Sequence, residues 1–119
     1  MKILLIFNDD KLAVTEKYVN EILQFIDKTY KNNAFVKYDI AEADCIYDLT
    51  EMLDAYNDND FDFFIVSFKK GYNFNEQFED MPKLIGETGI NMNDIMLVLG
   101  TDAIIKFMPD IKNFIKEKK

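Results

Sequence analysis

The stretch Lys2-Ile-Leu-Leu-Ile-Phe-Asn-Asp-Asp10 decides how this chain folds. Five apolar residues in a row, Ile3 to Phe7, show no polar alternation, so a strand built from them must be covered on both faces. That places it at the centre of a parallel sheet. Asn8, Asp9 and Asp10 follow directly, where the carboxyl end of such a strand presents its polar neighbours. One wall of any small-molecule or metal site is expected there.

A second run of the same kind, Phe61-Asp-Phe-Phe-Ile-Val-Ser-Phe68, is apolar at its heart and belongs beside the first; Lys69-Lys70-Gly71 ends it. Between the two, Val14, Tyr18, Ile22, Phe25 and Ile26 recur at helical spacing, with Glu16, Lys17, Glu21, Gln24 and Lys28 opposite. This predicts an amphipathic helix running to Lys31, capped by Asp10 or Thr15 and stopped at Asn32-Asn33. Ala34 to Ile40 then alternates, as an edge strand does. A second helix follows, with Asp44 as cap, Ile46, Leu49, Leu53 and Tyr56 as its buried stripe, and Asn57-Asp-Asn-Asp60 as its end.

Beyond the second buried run, a helix from Asn75 is broken or restarted near Met81 by Pro82 and terminated by Gly86 and Gly89. Ile95 to Leu99 forms a fourth strand, apolar throughout. Two readings of the remainder stay open. Either Thr101 caps a helix that kinks near Pro109, which is preferred, or residues 103–107 form a short antiparallel fifth strand, with Pro109 opening the last helix. Alternating strands and helices with room for right-handed crossovers predict one α/β domain over residues 1–119. Its architecture is a three-layer sandwich whose parallel sheet has four strands in the order 2-1-3-4. The fourth strand would then be a sheet edge without charge or proline, so either residues 103–107 or a second subunit is expected to cover it.

A chain of 119 residues buries roughly two-thirds of its unfolded surface and needs no disulfide or metal to be stable. The single Cys45 and the lack of a leader pattern imply a reducing, cytoplasmic setting, and no apolar run approaches membrane-spanning length. A net charge of −8 argues against direct binding to nucleic acid or to an anionic membrane. The lysines from Lys112 to Lys119 are best read as the carboxyl end of a helix, where cations are favourable. The chain contains no His and no Arg, and Ser67 is its only serine. Imidazole catalysis, His-ligated zinc, serine triads and arginine clamps are therefore excluded.

In open parallel sheets, ligands bind beyond the strand ends where chain order reverses, here between the first and third strands. The residues delivered to that crevice are Asn8, Asp9 and Asp10, then Ser67, Lys69 and Lys70, then Thr101 and Asp102. Asp9, Asp10 and Asp102 are hard oxygen ligands suited to magnesium. Gly71 to Phe78 places Tyr72, Phe74 and Phe78 beside the crevice as a lid or a partner-binding surface. Cys45, ahead of a helix, reads as a small buried residue.

In layout the chain resembles the flavodoxin-like group, and Asp9-Asp10 after the first strand is similar to the acidic pair of response-regulator receiver domains. Receivers end their third strand in a phospho-accepting aspartate, where this chain has Ser67, and they use a lysine after a fifth strand that is not apparent here. Flavodoxins have a hydroxyl- and glycine-rich phosphate loop where this chain has Asn8-Asp-Asp-Lys-Leu12, and two carboxylates repel a phosphate.

The leading expectation is a non-catalytic protein-binding or regulatory module, homo-oligomeric, without a resident cofactor. The alternatives are a magnesium-dependent phosphoryl-type enzyme or phospho-switch, in which Lys69 stabilises developing charge, and an acidic inhibitor that imitates nucleic acid.

Overall fold

A computed structural model describes residues 1–7, 12–40, 51, 53–55, 61–68, 83, 86–99 and 103–119. Four strands, β1 (Lys2–Phe7), β2 (Phe35–Ile40), β3 (Phe63–Phe68) and β4 (Ile95–Leu99), make one sheet in the order β2-β1-β3-β4. Every pairing is parallel; β1 sets Ile3 beside Phe63 and Phe7 beside Ser67, and β3 sets Ser67 beside Val98. The described residues include three helices, α1 (Leu12–Tyr30), α2 (Ala103–Lys106) and α3 (Met108–Glu117). This is the three-layer, flavodoxin-like α/β arrangement that the two apolar runs implied.

Side-chain alternation divides the core into two layers. Ile3, Leu5, Phe7, Phe63, Ile65 and Val98 form one cluster with Val19, Ile22, Ile26 and Tyr30 of α1 and Met108, Ile111 and Ile115 of α3. The intervening Leu4, Ile6, Phe64 and Val66 point the other way and are equally buried, at 0–3% exposed. The two central strands, β1 and β3, are therefore dry on both faces. Residues 51 and 53–55 are helical, and Leu53 among them is fully buried.

α1 begins at Leu12, so Thr15 lies inside the helix and is not its cap; Asp10 is outside the described residues. The helix ends through two left-handed residues, Lys31 (φ 53°) and Asn32 (φ 61°). There the Asn32 amide donates to the Asp27 carbonyl at 3.0 Å and the Asn33 amide to that of Tyr30, which satisfies carbonyls the last turn leaves open. Sequence periodicity located Ile22 and Ile26 but left out Val19 and Tyr30, both buried. The Tyr30 hydroxyl donates to the Ile115 carbonyl at 2.9 Å and ties α1 to α3. Burial, and secondarily the negative charge of Asp62, hold the Tyr30 phenol above its usual pKa.

β3 starts at Phe63, two residues later than expected. Asp62 is engaged with the start of β1: its amide donates to the Lys2 carbonyl at 2.7 Å, and its carboxylate accepts from the Lys2 amide at 2.7 Å. Gly86 is helical and does not end its helix; Gly89 does, at φ 83°, with its amide bonded to the Gly86 carbonyl at 3.1 Å. A 3₁₀ turn, Met92–Asp94, capped by the Asn91 side chain, leads into β4 and was not anticipated. Residues 103–106 are helical, so the antiparallel fifth strand does not form there. Pro109 instead sits in the first turn of α3, where its missing amide is harmless.

Candidate functional site

The reversal of strand order between β1 and β3 is present, and Phe7 lies directly beside Ser67 at its mouth. Ser67 is 6% exposed and sits in the layer facing α1 and α3, between the register positions of Phe7 and Val98. Among the described residues no buried side-chain nitrogen or oxygen lacks a hydrogen-bond partner. Asn8, Asp9, Asp10, Lys69, Lys70, Thr101 and Asp102 lie outside the described residues, as do Tyr72, Phe74, Phe78 and Cys45. Among the described residues no group of three or more acidic or cysteine side chains is placed to hold a metal ion. Nor is any described helix long and apolar enough to cross a membrane.

A second feature appears at the opposite edge from β2. β4 has one strand neighbour among the described residues, β3, and its outer edge opens onto a groove of about 450 Å³. Ile95, Met96 and Leu97 form one side; Asp110, Asn113, Phe114 and Glu117 of α3 form the other. The spacing explains the lining: positions 110, 113 and 117 share one face of a helix, and Met108, Ile111 and Ile115 occupy the buried face.

Lysines fix α3 in that position. Lys118 Nζ lies 2.8 Å from Asp94 Oδ1, tying the end of the helix to the residue before β4, and sits 5.3 Å from the centre of the Phe114 ring. On the other side, Lys112 reaches Glu21 of α1 at 2.9 Å, and Lys112 and Lys116 each lie 5.6 Å from the Phe25 ring. Lys112 and Lys116 are thus engaged with α1, and Lys118 with the residue before β4. Asp110, Asn113 and Glu117 remain exposed, and among the described residues neither acid has an ion-pair partner.

The far edge differs. β2 carries Lys37 and Asp39, charges of the kind that discourage edge-to-edge pairing. A smaller groove of about 220 Å³ there is lined by Glu16, Val19 and Asn20 of α1 with Tyr38, whose ring is half exposed.

Sequence reasoning identified the uncharged β4 edge but missed the acidic face of α3 above it. The 110-113-117 spacing was a readable signal; that this face overhangs β4 depends on how α3 crosses the sheet. Comparison with family models, with curated proteins and with solved structures returns no match.

Proposed function

We propose that this chain is a non-catalytic, cytoplasmic α/β module that works by binding another protein. One observation supports the reading above others. β4, Ile-Met-Leu-Val-Leu, is a sheet edge without charge or proline, and among the described residues it has a neighbour on one side only. Strands of that kind are templates for a further strand, and proteins that leave them bare either pair them or associate. The test is amide hydrogen exchange resolved by residue in NMR. Amides of Ile95–Leu99 that point away from β3 are expected to exchange far faster than those of β1 in the isolated chain. Protection of every β4 amide equal to that of β1, at all protein concentrations, would show the edge already covered and remove this support. Protection that grows with concentration would identify a second copy as the cover.

A second reading, a magnesium-dependent enzyme or phospho-switch, draws on the β1–β3 reversal, which directs the segments after Phe7 and Phe68 from adjacent strand ends. On that reading magnesium raises the melting temperature and Asp9→Asn abolishes the rise. Identical melting of both proteins with and without the ion removes it.

A further inference from the structure

We infer that the outer edge of β4 takes a basic, extended segment of a partner protein, added as a fifth strand beneath α3. The inference rests on the protein-binding reading and specifies the chemistry of what is bound.

The groove offers two kinds of recognition at once. Along its floor runs the outer side of β4, whose ladder groups have no strand partner among the described residues; only an extended backbone can satisfy them in series. Above them stand Asp110 and Glu117, about two helical turns apart and both exposed. An added strand presents alternate side chains upward, toward α3. Lysine or arginine at those positions meets carboxylates.

Helix stability does not account for both acids. Asp110 lies in the first turn of α3, where a negative charge is favourable without any partner. Glu117 closes the same helix at its carbonyl end, where a negative charge is unfavourable. Its neighbour Lys118 is bonded to Asp94, and among the described residues Glu117 has no ion-pair partner. A cation arriving in the groove supplies what Glu117 lacks.

The same charges decide against a second copy. Identical edges join antiparallel in one sheet about a two-fold axis normal to it. α3 runs back along β4, since Lys118 at its end meets Asp94 at the strand's start. The two-fold therefore sets Asp110 of one copy toward Glu117 of the other, twice over. Like charges so placed repel, in a chain already at −8. An acidic segment meets the same repulsion.

The test uses the whole chain and a short labelled peptide alternating lysine and valine. Controls are the glutamate–valine counterpart and the lysine–valine peptide N-methylated at every backbone amide, which carries the charge but cannot donate to the ladder. The lysine–valine peptide is expected to bind saturably, to shift the β4 amides in NMR and to weaken as salt rises. Asp110→Asn with Glu117→Gln, both exposed and isosteric, is expected to weaken it about tenfold. Leu97→Lys, a charge on the edge itself, acts in the same direction, and the α3 double variant carries the test if that protein does not fold. Equal binding of the N-methylated peptide, or binding without β4 shifts, reduces the effect to general attraction by a polyanion and overturns the inference. Equal binding of the glutamate peptide overturns the charge assignment and leaves the protein-binding reading standing. Self-association abolished by Leu97→Lys does likewise, in favour of a second copy. Failure of every peptide on an edge whose amides are already protected removes both.

Discussion

Replacing Phe63 by alanine is expected to lower the free energy of unfolding by about 3–5 kcal/mol, the usual cost of deleting a buried aromatic ring. The side chain is fully buried, and its ring is held by two others: Phe114 edge-on at 5.5 Å and 83°, and Tyr30 at 6.5 Å. It stands on β3, faces α1 and α3, and so joins three elements far apart in the chain. No neighbour can collapse into the space without pulling a helix off the sheet. For a domain whose total stability is of order 5–15 kcal/mol, the loss is a large share of it. Denaturant unfolding should show a lower midpoint at unchanged slope, and Phe63→Leu should lose much less. A loss under about 1 kcal/mol would mean the helices do not close over this part of the sheet.

The second large effect concerns the other face. Leu4→Ala and Leu5→Ala are each expected to cost about 2–5 kcal/mol, although the two side chains point in opposite directions. Leu5 lies in the α1–α3 layer, and Leu4, also fully buried, lies in the layer opposite. In a sheet with one wet face, trimming the residue on that face would change stability by a few tenths of a kcal/mol. Equal destabilisation by both substitutions identifies a sheet covered twice; a silent Leu4→Ala identifies a two-layer protein.

Burial on both faces was legible because it removes a constraint from the sequence. Ile3 to Phe7 and Phe63 to Val66 have no solvent side, so nothing selects for alternation, and the apolar run itself reports the environment. β2 could be read as an edge for the converse reason, since Lys37 and Asp39 interrupt it. Residues 103–107 were ambiguous because a short apolar run fits helix and strand alike, and α2 is only four residues long. The start of β3 could not be seen either, because Asp62 is engaged by Lys2, sixty positions earlier.

The α3 face over β4 belongs to the same category. Asp110, Asn113 and Glu117 are ordinary surface residues of a helix by every local measure, and they acquire meaning only from what lies beneath them. Lys112 and Lys118 were read as a helix end; they are also cross-element ties, to Glu21 and Asp94.

Sequence alone determined which segments are interior strands, that they run parallel, and their order, because hydrophobic burial and chain connectivity act through composition and spacing that the chain displays directly. Only the tertiary structure decided that Tyr30 is bonded to Ile115, that lysines pin α3 between α1 and β4, and that two carboxylates overhang an uncharged edge. These are contacts between residues up to ninety-one positions apart, set by the angle and height at which one helix crosses a sheet. Side-chain packing fixes that angle, and no period in the sequence encodes it.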